Sequence, residues 1–287
     1  MSFIENNFNG LIYMTAPGFG TTQAFTTRFG GASGGIYESL NLGMRLGDDV
    51  NNVSENYNRL CNAIGITRES IVCSNQVHGA DIRVVSRGGC GGLFSPNPNQ
   101  SDGLITNETG VALTIFTADC TPILLYDPVR RVIGAVHAGW RGTVANIAGA
   151  AVKKMVEEYG CQPPDIKAVI GPCISKCCYE VGREVADAVY DALYDGVATT
   201  VNSTAINGTT KSAKSSSSRN VADCVTEQNG GFRADLKETN RMLLIKAGLE
   251  DITISGECTS CQSDKYWSHR ATGGKRGSQA ALIFLND

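Results

Sequence analysis

From Thr117 to Thr143 the chain reads TADCTPILLYDPVRRVIGAVHAGWRGT, with hydrophobic residues filling two runs, Pro122–Tyr126 and Val132–Val136. Each run has the length of a buried strand. Asp127-Pro128 between them is a turn signal, so the segment is expected to form a tight antiparallel hairpin. Cys120 stands just before the first run and His137 just after the second. Antiparallel pairing therefore brings a thiol and an imidazole to the same end. Ala138-Gly139-Trp140-Arg141-Gly142 comes next, and its small residues let the backbone approach a ligand closely. The apolar run Val144–Val152 then starts a helix.

Elsewhere the pattern alternates between the two periods. Val53, Tyr57, Leu60, Ala63 and Ile64 recur at helical spacing, with Asn52 or Ser54 as the cap. Ile147, Ala151, Met155 and Tyr159 mark a second helix, Val185–Leu193 a third and Phe232–Gly248 a fourth. Short strands are expected at Phe25–Thr27, Ile71–Cys73, Ile82–Val85, Ser101–Thr106, Val111–Phe116, Ile166–Ile170, Ile252–Ile254 and Ala280–Leu285. Arg28–Gly35 carries four glycines after a strand, which fits either a flexible solvated loop, the reading composition favours, or a loop whose backbone lies close to a neighbour with Arg28 at its mouth. Gly88–Gln100 is rich in Gly, Pro and Asn and reads as a loop. Ala198–Asn220 ends in a serine run and cannot bury enough surface to offset its ordering entropy, so it reads as a mobile surface insertion.

Composition narrows the classes of function. With 42% hydrophobic and 18% charged residues the chain is an ordinary globular one, and its net charge of −3 offers no basic surface for nucleic acid. No apolar run approaches the roughly 20 residues of a membrane span, and the first residues lack a secretory pattern, which points to the cytoplasm. Eleven cysteines are an odd number scattered over 287 residues, unlike a disulfide framework. Cys61, Cys73, Cys90, Cys161 and Cys224 are expected to be buried small hydrophobes. Cys173 with the Cys177–Cys178 pair, and separately Cys258-Thr259-Ser260-Cys261, each suggest half of a metal or redox motif. No second pair at zinc-ribbon spacing accompanies the first group, so a structural role is expected of Cys173, Cys177 and Cys178.

The chain has three histidines, His78, His137 and His269. His78 and His137 each sit at a strand end beside glycine. Together with Cys120 they could form an open zinc site, with three protein ligands and a fourth position for water or substrate. The same Cys and His could equally be a nucleophile and its base.

Five motifs in order, TRFGGASGG…SLNLG (Thr27–Gly43), QVHG (Gln76–Gly79), TADC (Thr117–Cys120), HAGWRG (His137–Gly142) and GPCI…CCYEVG (Gly171–Gly182), resemble those of the YfiH family. Its members have also been called laccase-domain or multicopper polyphenol oxidase proteins. The resemblance runs from about Thr26 to the C-terminus, apart from the serine-rich insertion.

It implies an α/β (α+β) fold, a single domain over residues 1–287 with a mixed β-sandwich-like core flanked by helices. It also implies a Zn2+ site made of His78, Cys120 and His137. The implied activity is phosphorolysis of purine nucleosides (adenosine, inosine, guanosine and methylthioadenosine) by inorganic phosphate, with hydrolytic deamination of adenosine. On that reading Asp119 relays a proton, Arg141 and then Arg28 contact phosphate, and Asn41 and Gln76 join the substrate-binding set. The family's C-terminal FFSYRR…TGR segment departs here to Tyr266-Trp267-Ser268-His269-Arg270-Ala271 and Arg276-Gly277-Ser278. The competing readings are a Cys–His hydrolase with Cys120 as nucleophile and His137 as base, and a non-enzymatic metal- or nucleoside-binding role. A multicopper oxidase is disfavoured, because three histidines cannot furnish a trinuclear centre.

Overall fold

The computed structural model describes residues 2–87, 100–194, 223–228 and 230–286. The expected insertion at Ala198–Asn220 lies outside the described residues, as does nearly all of the Gly88–Gln100 loop. Among the described residues no helix is long and apolar enough to cross a membrane.

The core is a pair of mixed six-stranded sheets. In the first, the spatial order is Ile4–Phe8, Leu11–Thr15, Thr22–Thr26, Gln279–Phe284, Ala112–Thr117 and Ile71–Val72. In the second it is Asp251–Ile254, Lys167–Ile170, Thr121–Asp127, Val132–Ala138, Gly103–Thr106 and Ile82–Val84. Side chains alternate across the central strands, whose two faces are both covered. Leu124, Ile133, Ala135 and Val169 of the second sheet share a core with Phe25, Leu113, Ile115, Ala281 and Ile283 of the first. Their neighbours Ile123, Leu125, Val136, Ala168 and Ile170 point the other way, onto Ile147, Ala151, Val152, Met155 and Leu244. Ala24, Ala112, Ala280 and Leu282 likewise meet Val53, Tyr57 and Leu60 of the helix Val50–Ile64. Burial on both faces is why the central strands read as continuous apolar runs rather than as an alternation. The architecture is helix, sheet, sheet, helix, in agreement with the sandwich-like fold that the resemblance implies.

The hairpin forms as expected, with Thr121↔Ala138, Pro122↔His137 and Asp127↔Val132 paired. Asp127 Oδ1 accepts from Val129 N at 2.8 Å and Arg130 N at 2.9 Å, which closes the turn. Three boundaries differ from expectation. Asp49, rather than Asn52 or Ser54, caps the first helix, accepting from Asn51 N. Phe232 lies in a strand, Gly231–Ala234, paired with Glu180–Val181, and the helix beyond it starts at Leu236 behind the Asp235 cap. After the hairpin the helix is broken in two, Trp140–Val144 and Ile147–Tyr159, because Asn146 turns to φ 57°. The N-terminal strands Ile4–Phe8 and Leu11–Thr15 form a hairpin that the hydrophobic pattern does not announce.

Candidate metal centre

One end of the second sheet collects the chemistry. Cys120 immediately precedes the strand Thr121–Asp127, and His137 is the penultimate residue of its antiparallel partner Val132–Ala138. Asp102 precedes Gly103–Thr106, which runs antiparallel to Val132–Ala138 with Gly103 opposite Val136. His78 lies in the loop leading to Ile82–Val84, which runs parallel to Gly103–Thr106 with Ile82 beside Gly103. Alternating strand directions thus deliver four side chains from distant parts of the sequence to one edge.

His78, Cys120 and His137 each present a ligand atom, and these atoms all lie within 4.8 Å of one another. The Cys120 sulfur is 3.9 Å from His78 Nε2, and the two imidazoles meet edge to face with centroids 4.9 Å apart. His137 is buried, Cys120 half-buried and His78 exposed, so the cluster is closed beneath and open on the His78 side. Two imidazoles and a thiolate are a borderline-soft N/S donor set of the kind zinc takes, and three protein ligands leave a position open.

Asp102, which belongs to none of the five sequence motifs, organises this cluster. Its carboxylate is wholly buried and lies 2.7 Å from His137 Nδ1. The carboxylate also accepts from Val77 N at 3.0 Å, His78 N at 3.0 Å and Gly79 N at 2.8 Å. One side chain therefore orients one imidazole and pins the loop that carries the other. A carboxylate can only accept, so the proton of His137 is on Nδ1 and Nε2 is left to serve as ligand. These bonds hold the Asp102 carboxyl below its ordinary range even though burial works in the opposite direction. The available signal was an acidic residue beside the apolar pair Leu104-Ile105 in the expected strand Ser101–Thr106.

Glycine makes the close approach possible. A Cβ on Gly139 would stand 2.8 Å from His78 Cδ2 and 3.3 Å from the Cys120 sulfur. One on Gly142 would stand 2.8 Å from the carbonyl oxygen of Gly79. The HAGWRG turn is thus seated directly against the QVHG loop. His78 and Asp119 both adopt positive φ, 62° and 92°, backbone that non-glycine residues rarely take and that the surrounding bonds must maintain.

Electrostatics favour an ion pair at the cluster when no metal is considered. Burial raises the Cys120 thiol, but His137 and His78 outweigh it and draw it down to about 6. Burial lowers His137, but Cys120 and Asp102 outweigh that and push it up to about 9. Burial, reinforced by Cys120, pushes the Tyr179 phenol up to about 12, which keeps it a proton donor within electrostatic reach of Cys120, Asp119, Arg141 and Arg270.

The remaining residues singled out from the sequence fall in different places. Asp119 Oδ1 accepts from Thr259 Oγ1 at 2.6 Å and its Oδ2 from Arg270 N at 2.7 Å. With both oxygens engaged, Asp119 tethers the chain before Cys120 to the C-terminal segment. Arg141 is exposed, with its guanidinium 4.3 Å from the centre of the Trp140 ring. Arg28 donates to the carbonyls of Glu38 and Ser263 and lies 4.1 Å over Trp267. Asn41 is fully buried; its Oδ1 accepts from Gly43 N and Ser278 N, and its Nδ2 donates to Asp48. Gln76 pairs its side-chain amide with both backbone groups of Phe116. The bonds of Arg28, Asn41 and Gln76 thus go to the protein itself. Arg276, which belongs to the segment that departs from the family pattern, lies within electrostatic reach of Asp119 and Cys120, and its buried Nε has no hydrogen-bond partner among the described residues.

The family model described as multi-copper polyphenol oxidoreductase laccase matches residues 22–286. A purine nucleoside phosphorylase YlmD of Geobacillus stearothermophilus is 36% identical over 285 residues, covering 97% of this chain and 96% of that protein. A purine nucleoside phosphorylase of Deinococcus radiodurans is 38% identical over 276 residues, covering 96% and 94%. Among solved structures, YlmD from G. stearothermophilus superposes with a TM-score of 0.84 at 34% identity over 98% of both chains. The Bacillus licheniformis protein YfiH superposes with a TM-score of 0.83 at 30% identity over 99% of both. Likeness that runs nearly end to end, in sequence and in fold, places this chain in the laccase-domain family to which YfiH and YlmD belong.

Proposed function

We propose that the protein is a zinc-dependent purine nucleoside phosphorylase that also deaminates adenosine. The observation that carries this reading is the convergence of His78, Cys120 and His137, with donor atoms within 4.8 Å of one another and one side open. The phosphorylase names of the full-length relatives support the substrate class, purine nucleosides and inorganic phosphate. Zinc bound there supplies Lewis acidity and lowers the pKa of water toward 7.

The protein's own groups account for the rest. Asp102 fixes the His137 tautomer and the His78 loop, so the ligand atoms are oriented before anything binds. Cys120 stays a thiolate near neutral pH because two imidazoles face it. In phosphorolysis the attacking phosphate must be held under the sugar carbon while the purine departs through an oxocarbenium-like state. Positioning and charge do most of that work. Arg141, exposed on the first turn after the His137 strand, is the first candidate to grip phosphate, with Arg276, within electrostatic reach of Cys120, as a second positive charge. We assign Asp119 to holding the Cys120 loop in place rather than to moving protons, since both of its oxygens already accept hydrogen bonds. The reading places the protein in the cytoplasm, where nucleosides and phosphate are available and its free thiols persist.

Incubation with inosine and phosphate tests the proposal. Metal-loaded protein is expected to release hypoxanthine and ribose 1-phosphate in equal amounts and only when phosphate is present. Release of ribose without phosphate dependence would refute phosphorolysis. The Cys–His hydrolase alternative is favoured by one observation, the thiolate–imidazole pair itself, and would not need His78.

A further inference from the structure

The same end of the second sheet holds another cluster. Lys167–Ile170 and Asp251–Ile254 run parallel, and the pairing continues beyond the strands as a bridge between Cys173 and Cys258. The two chain segments leave the sheet side by side, one carrying Cys177-Cys178 and the other Cys258-x-x-Cys261. Two half-motifs about eighty residues apart thereby meet: the sulfurs of Cys177, Cys178, Cys258 and Cys261 all lie within 4.8 Å of one another. Cys261 is 3.4 Å from Cys177 and 3.3 Å from Cys178.

We propose that these four cysteines form a second, structural zinc site, closed by four thiolates and distinct from the His78–Cys120–His137 centre. A zinc–sulfur bond of about 2.3 Å gives a tetrahedron whose sulfur–sulfur edge is about 3.8 Å, within the span of the separations found. Backbone N–H groups converge on the Cys258 sulfur, that of Ser175 at 3.3 Å and those of Ser260 and Cys261 beside it. This is the arrangement that supports a ligating thiolate. Four thiolates around Zn2+ carry a net charge of −2, and the surroundings are built for it. Lys237 is buried, forms no ion pair among the described residues, and bonds only to Ser175 Oγ at 2.9 Å and the carbonyls of Ser255 and Glu257. A buried ammonium without a counter-ion is costly, and a dianionic centre two residues from Ser175 and one from Glu257 supplies the missing charge. Arg233 and Arg270 add positive charge on the carbonyls of Cys177 and Cys178.

Such a site staples the two segments that support the candidate active site. Thr259 lies between the Cys258 and Cys261 ligands and donates to Asp119, while Arg270 N donates to the other Asp119 oxygen and its guanidinium holds Cys178 O and Glu180 O. Asp119 in turn precedes Cys120. The second metal would fix the floor of the first site without taking part in its chemistry.

Elemental analysis of the protein after gel filtration tests this. Wild type is expected to hold two zinc ions per chain. His78→Ala/Cys120→Ser, which leaves the four cysteines untouched, is expected to keep one. Co2+ exchanged into that variant should give the strong sulfur-to-metal charge-transfer bands of four-thiolate coordination. Cys177→Ser/Cys261→Ser should lose the second zinc and unfold at lower temperature. Loss of all metal from His78→Ala/Cys120→Ser would overturn the proposal. So would a disulfide among the four cysteines in a non-reducing peptide map of fresh wild-type protein, and one equivalent of iron would overturn the choice of zinc. If the cysteine variant does not fold, the metal count and Co2+ spectrum of His78→Ala/Cys120→Ser still decide. Since turnover enters none of these readouts, failure here is separable from failure of the phosphorylase reading.

Discussion

His137 Nδ1 lies 2.7 Å from Asp102 Oδ1, with both side chains shut away from solvent, and the same carboxylate receives the backbone N–H groups of Val77, His78 and Gly79. A single acidic residue therefore sets the orientation of one candidate ligand and the loop position of another. Asp102→Asn keeps the size but replaces a carboxylate oxygen with an amide, and it is expected to weaken zinc binding about 10- to 100-fold, read by competition with a chelator. Asp102→Ala leaves three N–H groups without an acceptor and should cost about 3 kcal/mol of stability, measured by urea unfolding.

Gly139 tests the close packing at the cluster. The Cβ of Gly139→Ala would collide with the His78 ring and press on the Cys120 sulfur, whereas that of Gly34→Ala would meet nothing within 4 Å among the described residues. The first variant is expected to lose the metal at the candidate centre while the second keeps it. Equal metal content in the two would show that His78 can retreat freely.

The thiolate–imidazole pair predicts a particular pH response of metal-stripped protein. Cys120 is depressed from 9.0 to about 6, so its contribution to stability is present above the unfolded value and is lost as pH falls through about 6. His137 is raised from 6.5 to about 9, so its contribution is full below 6.5 and is lost as pH rises through about 9. Between about 6.5 and 9 the unfolded chain carries the proton on the thiol and the folded chain carries it on the imidazole. The two slopes cancel and thermal stability should be nearly flat. Iodoacetamide alkylation of Cys120 should instead rise with a midpoint near pH 6, well under the value of about 8.5 for a free thiol. A midpoint above 8 would contradict the pairing.

The hairpin that carries Cys120 and His137 was legible because the second sheet is buried on both faces, which writes its strands as unbroken apolar runs ended by a turn signal. Partners supplied by topology were not. Asp102 is one acidic residue inside the expected strand Ser101–Thr106, and nothing local gives its partner until Gly103 is placed opposite Val136. The cysteine pairs looked like orphaned halves because the parallel pairing that unites them joins segments far apart in the sequence. The strand Ile4–Phe8 (IENNF) is an exposed edge with no buried residue, so no hydrophobic alternation marks it. Phe232 falls in phase with Leu236 and Leu243 of the following helix, and local spacing does not register the strand pairing that claims it.

Arg141 separates the two proposed reactions. A guanidinium can grip phosphate oxygens through two parallel charge-assisted hydrogen bonds, which an ammonium cannot reproduce. Arg141→Lys is expected to raise the phosphate concentration needed for inosine phosphorolysis about tenfold, while phosphate-free deamination of adenosine falls much less. An equal loss in both activities at saturating phosphate would show that Arg141 supports the whole site instead.

The most direct test adds zinc back to metal-stripped wild type and to metal-stripped His78→Ala and follows hypoxanthine release from inosine with phosphate. Wild-type activity should be absent without metal and climb to a plateau as zinc fills the sites, and His78→Ala should stay at least about 100-fold below it at every zinc concentration. Undiminished turnover by metal-free wild type, or by His78→Ala, would contradict a three-ligand zinc centre and leave Cys120 and His137 as a simple nucleophile and base.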